Sequence, residues 1–209
     1  MQPNPSVLLL RHGETEWNVV ARLQGRDDSP LTARGLAQAG RLAAWAAQRG
    51  VRRIVASPLG RAQVTAARIA AECGATVETR AALAEMAFGS CAGLTLAQCE
   101  ARFPGLSAER ARDRWGHRWP DGEGYPDMVG RLRAWLDAEP EALGGEGVAV
   151  VAHQAINRAL LTVLTGCEPA LALEGAQSAA QAIEVFADRT WRVIDLAEPE
   201  TDGHAPGVI

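Results

Sequence analysis

The stretch VLLLRHGETEWN, Val7 to Asn18, decides the fold of this 209-residue chain. Four apolar residues run straight into an arginine, a histidine and a glycine, and a polar cluster follows. A short apolar run bounded by polar turns suits a strand buried on both faces, as in a parallel sheet covered by helices. The pattern returns at Gly147 to Gln154, GVAVVAHQ, where the run again meets a histidine. Arg52 to Ala70, RRIVASPLGRAQVTAARIA, has the same grammar: a brief strand, a Ser-Pro turn, then an arginine at the start of a helix. Sheets of this type bind ligands beyond the carboxyl ends of their strands. Three strands therefore deliver Arg11, His12, Arg61 and His153 toward one edge.

The segments between these strands read as helices. Thr32 is placed to cap LTARGLAQAGRLAAWAAQRG, in which Leu36, Leu42, Trp45 and Ala46 form an apolar face and Gly50 ends the helix. PDMVGRLRAWLDAEP sets Met128, Leu132, Trp135 and Leu136 at helical spacing and stops near Pro140. AINRALLTVLTGCEP follows His153 as another helix, ending near Gly166. QAIEVFADRTWRVIDLA reads as two strands around an Asp188-Arg189-Thr190 turn. The expected fold is α/β, a three-layer α/β/α arrangement with a mostly parallel central sheet. With 47% hydrophobic and 22% charged residues, the chain is long enough for one substantial core and short for two ordinary domains. One domain over residues 1–209 is expected. Around residues 88–125 arginines mix with Trp115, Trp119 and Tyr125, and several glycines and prolines break the pattern. This stretch reads as a small lid insertion or as a long loop packed by its own aromatics. Residues 200–209 are expected to fray.

The formal charge of −4 argues against a general attraction to nucleic acid or anionic membrane, while leaving room for a local basic pocket. A basic, aromatic stretch such as 88–125 is able to stack on nucleic acid, but in an acidic chain that is the weaker reading. Neither nucleic acid nor membrane is an expected partner. The chain contains no lysine, which excludes a Schiff-base lysine and a phosphate loop ending in Gly-Lys. Reliance on arginine fits a chain that grips anions through bidentate forks, and a coding bias gives the same composition. Cys73, Cys91, Cys99 and Cys167 form no C-x-x-C pair, and free thiols in a reducing compartment are the simplest reading. Nothing before Val7 resembles a secretory leader, and no apolar run approaches the ~18 residues of a membrane span. A cytoplasmic protein is expected; its oligomeric state is left open.

A histidine at the end of a buried strand can be only a satisfied core residue. The neighbours of His12 change that balance. Gly13 lets the backbone come close to a ligand, Arg11 supplies a permanent fork of donors, and Asn18 adds a neutral polar contact. Arg61, after SPLG, suits a second fork, and His153 repeats the edge of His12. Two arginines and two histidines converging on one point form a pocket for a dianionic phosphate. A metal would want a third ligand beside His12 and His153. Glu14 and Glu16 are near in sequence, but the arginines would repel a cation, so no metal is expected. A serine hydrolase is weaker still, because no G-x-S-x-G occurs and Ser57 precedes a proline.

Five pieces, LRHGETEWN, RLQGRDDSPLTARGLAQA, IVASPLGRAQVTA, LAEMAFGSCAGLT and VAVVAHQ, follow one another in the order of a known family. Through them the sequence resembles the histidine phosphatase superfamily, the phosphoglycerate-mutase-like proteins, over nearly its whole length. A lone Arg-His-Gly is a weak signal, whereas five ordered pieces make a strong one. The resemblance implies that His12 is the nucleophile and forms a phosphohistidine by in-line attack. It implies that Arg11, Arg61 and His153 hold the phosphoryl oxygens, with Asn18 and Gln24 among the substrate-binding residues. Glu85 matches the family's acid, which protonates the leaving oxygen and then takes a proton from the attacking water. No metal or organic cofactor is implied. His12 must be neutral at its attacking nitrogen, which two nearby arginines favour. Glu85 must begin protonated, which desolvation and the substrate's charge promote. Spacing alone does not distinguish Glu85 from a solvated loop glutamate.

The chain departs from the family pattern in three places. Gln154 stands where a glycine commonly follows the second histidine, Gly89-Ser90-Cys91-Ala92-Gly93 replaces the usual G-x-W-E-G, and Gly122-Glu123-Gly124 replaces a frequent glycine-glutamate-serine. None removes a catalytic group, and all bear on pocket shape. The expected activity is metal-independent hydrolysis of a small-molecule phosphate monoester, a histidine acid phosphatase-like reaction. A phosphoglycerate mutase shares the site but must keep water out. Mutases of this family resemble longer chains with extra basic groups, including lysine. A phosphate-binding module without turnover is the non-enzymatic alternative, and the intact set Arg11, His12, Arg61, Glu85 and His153 argues against it. Arg114, His117 and Arg118 hint at an acidic substrate beyond the phosphate, and equally read as surface charge.

Overall fold

The computed structural model describes residues 6–174 and 177–196. The chain opens with β1 (Val7–Arg11), α1 (Glu16–Val19), α2 (Ala33–Gln48), β2 (Arg53–Ala56), α3 (Gly60–Cys73) and β3 (Thr76–Thr79). Two short 3₁₀ turns, Ala81–Leu83 and Gly89–Cys91, lead to α4 (Leu96–Arg102), α5 (Leu106–Arg112) and α6 (Tyr125–Ala138). The remainder is β4 (Val148–Ala152), α7 (Gln154–Thr165), α8 (Pro169–Glu174), β5 (Gln181–Val185) and β6 (Trp191–Asp195). The strands form one sheet in the order β3-β2-β4-β1-β5-β6. The first four in that order are parallel; β5 and β6 add an antiparallel hairpin beside β1.

Alternation along β1 sends Leu8 and Leu10 to one face of the sheet and Val7 and Leu9 to the other. The first face packs against α2 and α3 through Leu42, Trp45, Ala46, Ala62 and Ile69. The second packs against α6 and α7 through Met128, Leu132, Trp135, Ile156 and Leu160. Apolar residues on both faces of each central strand thus produce the three-layer α/β/α arrangement that the sequence pattern predicts. Strand β3 has no counterpart in the sequence reading. It is an edge strand with mostly exposed side chains, so it carries no apolar run.

The expected apolar face of α2 holds except at Leu36. Thr32 caps the helix, its Oγ1 accepting the Gly35 amide at 2.9 Å. The first turn meets the sheet through Gly35 and Gln38, because Gly35 and the Gly13–Glu14 backbone lie in direct contact. No leucine fits there, and Leu36 turns to solvent with 53% of its surface exposed. Residues 88–125, read as a small lid insertion or a long loop packed by its own aromatics, hold the helices α4 and α5. Cys91, Cys99, Leu106 and Trp119 are buried in the core beneath them, and Trp115 stacks on Tyr125 with centroids 4.5 Å apart. The expected fraying at 200–209 falls outside the described residues. Among those described, no helix is long and apolar enough to cross a membrane.

Candidate active site

Strand register assembles the site. Arg11 pairs with Ala152 and Ala56 with Val151, so β1, β4 and β2 end nearly level. The residues that follow, His12, His153 and Ser57, emerge together. His12 is 3% exposed, His153 is fully buried, and their rings lie 5.1 Å apart.

The backbone fixes which nitrogen of His12 is free. Nδ1 lies 2.7 Å from the Gly13 carbonyl oxygen, an acceptor only, so Nδ1 carries the proton and Nε2 a lone pair. Arg61 Nε donates to that lone pair at 3.3 Å. Burial, and then the guanidinium groups of Arg11 and Arg61, hold His12 well below the ordinary histidine value, so the ring is neutral. Gly13 serves packing more than ligand access. A Cβ there would overlap the carbonyl of Gly35, and its amide donates to Thr65 Oγ1 at 3.2 Å.

Arg61 opens α3 and is held on the far side by the 25–28 loop. Nη1 donates to Asp27 O at 2.7 Å and Asp28 Oδ1 at 3.1 Å, and Nη2 to Gly25 O at 2.7 Å. Arg11 Nη1 donates to Gln177 O at 3.0 Å, while its buried Nε has no partner. Burial lowers Arg11 to about 10, which leaves it charged at neutral pH. An unpaired buried donor is costly, and an anion oxygen is the acceptor it lacks. Asn18 Oδ1 accepts the Thr15 amide at 3.0 Å in a capping box around α1, which leaves its amide protons for the cavity. Gln24 is buried on the cavity wall with its Oε1 unpartnered.

His153 occupies the cap position of α7 without making a side-chain cap bond. Glu85 supplies that cap from another segment. Its Oε1 accepts the amides of Met86 at 2.8 Å and Ile156 at 3.1 Å, and Oε2 accepts that of Ala155 at 3.2 Å. Free amides at a helix start favour such a group. Both lone pairs of Oε1 are used and one remains on Oε2, so Oε2 is the atom that can carry a proton without losing a bond. His153 Nε2 sits 2.7 Å from Ser57 Oγ, and its buried Nδ1 has no partner. Burial, then Arg61, His12 and Arg11, hold His153 well below the ordinary histidine value.

Arg11, His12, Asn18, Gln24, Arg61 and Glu85 line one cavity of about 410 Å³; His153 lies behind His12 and off its wall. Arg114 and His117 reach the cavity, as does Gln154. Arg118 does not: it pairs with Asp127 at 2.9 Å and is largely exposed, which fits the surface-charge reading of it. Cys91 is buried in the core and leaves the cavity wall to Phe88, Leu96 and Trp119. Arg110, Arg158 and Gln177 have no place in the sequence reading, and Ser57 enters it only as the serine of the Ser-Pro turn. Ser57 follows β2 as His12 follows β1, and Arg158 lies one helical turn beyond Gln154 on the strand-to-helix motif. Among the described residues, no cluster of three or more His, Cys, Asp or Glu side chains has the arrangement of a metal site.

The profile of the histidine phosphatase superfamily (branch 1) matches residues 7–198. A probable phosphoglycerate mutase GpmB of Yersinia enterocolitica is 36% identical over 163 residues, 78% of this chain and 76% of its own. A mycobacterial glucosyl-3-phosphoglycerate phosphatase, solved in complex with VO3, superposes with a TM-score of 0.73 at 32% identity, over 90% of this chain and 96% of that one. An α-ribazole phosphatase of Shigella flexneri superposes with a TM-score of 0.76 at 25% identity, over 91% and 95%. A profile match across nearly all of the described residues joins these likenesses to the geometry, and this chain belongs to the histidine phosphatase superfamily.

Proposed function

We propose that the protein is a metal-independent phosphomonoester hydrolase acting through a phosphohistidine at His12 on a small phosphorylated metabolite. One observation carries the reading. The Gly13 carbonyl pins the His12 proton on Nδ1, so a neutral ring presents its Nε2 lone pair beside two arginines.

In the first half-reaction, the Nε2 lone pair forms the N–P bond as the ester P–O bond breaks. The leaving oxygen takes the proton from Glu85 Oε2. Arg11 and Arg61 face the charge spread over the equatorial oxygens, and the amides of Asn18 and Gln24 add neutral donors. Ser57 donates its hydroxyl proton to His153 Nε2, which leaves the His153 proton on Nδ1, in the layer behind His12. In the second half, water attacks phosphorus and passes a proton to Glu85 as the N–P bond breaks. Phosphate leaves and His12 is neutral again.

Two observations support hydrolysis over transfer to a second hydroxyl: likeness to a phosphatase across 90% of the chain, and the absence of lysine. The name of the curated relative keeps the mutase as the second reading. Four free cysteines fit a cytoplasmic location, and residues 88–125 serve as the cover of a single domain's cavity. The test is phosphate release from a panel of phosphomonoesters in excess chelator, with His12→Ala in parallel. Release that survives chelation and vanishes in the variant is the expected result. Isomerisation of 3-phosphoglycerate without phosphate release would move the assignment to the mutase.

A further inference from the structure

Beyond the phosphate clamp the cavity continues to a wall of opposite character to the chain as a whole. Arg110 of α5, Arg114 just after it and Arg158 of α7 line it, and among the described residues Glu85 is the only carboxylate lining the cavity. Phe88, Leu96 and Trp119 line the same cavity, with Phe88 and Trp119 in edge contact at 5.0 Å.

We propose that the substrate is a phosphomonoester whose leaving group has an apolar face and ends in a second oxyanion held by Arg110 and Arg114 with Arg158. This rests on the hydrolase reading and names the class of ester within it. Arg110 and Arg114 have no ion pair or hydrogen bond among the described residues; Arg110 lies only over the Trp119 ring, 5.8 Å from its centroid. Burial, and then the charge of Arg114, lower the proton affinity of Arg110, so the pair stands against its own repulsion. An oxyanion between the two guanidinium forks relieves it, whether carboxylate or phosphate-like. A cavity of about 410 Å³ lies in the range that encloses a mid-sized organic ligand, roughly 300–1,000 Å³. The apolar wall gives the body of such a leaving group a place to lie.

The test uses phenyl phosphates carrying a para carboxylate, a para phosphonate or a para carboxamide. Their affinities are measured by calorimetry on His12→Ala, which reads binding whether or not the native protein turns them over. Either acidic ester should bind about tenfold or more tightly than the amide, the scale of one hydrogen bond to a charged group. Which acid leads identifies the oxyanion. The preference should shrink with added salt and fall to near unity when Arg110→Gln and Arg114→Gln are added. Arg114→Gln alone should lower it if the combined variant does not fold. Equal affinity for all three esters, or an acid preference that survives the arginine substitutions, overturns the proposal. Phosphate release by the unmodified protein is followed separately. Selective binding without release would refute the hydrolase reading and leave the subsite standing.

Discussion

At His12, one carbonyl selects Nε2 as the nitrogen free for the proposed attack, and burial, then two guanidinium groups, keep the ring neutral. Glu85 is the proposed acid, and that proposal predicts a dependence on the leaving group. Glu85→Gln should lower kcat/KM on alkyl phosphates by about 10²–10⁴-fold, the usual worth of a general acid. It should lower it far less on p-nitrophenyl phosphate, whose leaving oxygen needs no proton. Equal loss on both esters would remove Glu85 from the acid's role. The two histidines also predict how stability follows pH. Both are held below the value they have in the unfolded chain. As pH falls through about 6.5 the unfolded chain takes up protons that the native one refuses. Stability is therefore full above that pH and declines below it, by up to about 1.4 kcal/mol per pH unit for each histidine. Thermal melts between pH 7.5 and 5 check this, and His153→Gln should flatten the slope.

Among the elements, Glu123 joins the two sides of the site. Its Oε1 accepts from Arg26 at 3.0 Å and Arg131 at 3.3 Å, and its Oε2 from the Ala87 amide at 2.9 Å. Arg26 belongs to the loop whose carbonyls hold Arg61. Arg131 in turn donates to the carbonyls of Ala82, Ala84 and Glu85. Glu123→Gln should then cost about 10- to 100-fold in kcat, the scale of a small misplacement, with KM little changed. The loss should fall hardest on poor leaving groups, as for Glu85; a loss in KM alone would make Glu123 a binding residue. The contact of β1 with α2 is less forgiving. Gly13→Ala forces a methyl group into the Gly35 carbonyl and should destabilise by about 3 kcal/mol in urea unfolding. Element reading also marks where the sequence falls silent. Buried strands announce themselves through VLLL and VAVVA, whereas β3 borrows its place from the edge of β2 and leaves no apolar trace.

For the molecule as a whole, a net charge of −4 coexists with a cavity lined by six arginines and one glutamate. Arg11, His12, Arg61 and His153 were legible because each sits at a strand end or helix start, where chain order becomes position. Glu85, by contrast, carries no such positional signal, and only the family resemblance marks it. Its place is set by the start of α7, some seventy residues later in the chain. Gln177 and the pairing of Arg110 with Arg114 depend on tertiary contacts that no local pattern encodes. The clamp further predicts that vanadate stabilises the protein by mass action, about 2.7 kcal/mol at a hundred times its Kd. Arg11→Gln should remove most of that gain in thermal melts.

The central claim is that phosphorus becomes bonded to His12 Nε2. Rapid mixing with p-nitrophenyl phosphate, an alkaline quench that preserves phosphohistidine, and peptide mass spectrometry test it directly. A phosphoryl group should appear on His12 within one turnover and be absent from His12→Ala. Turnover with no phosphorylated histidine, or with the phosphoryl group on any other residue, would contradict it.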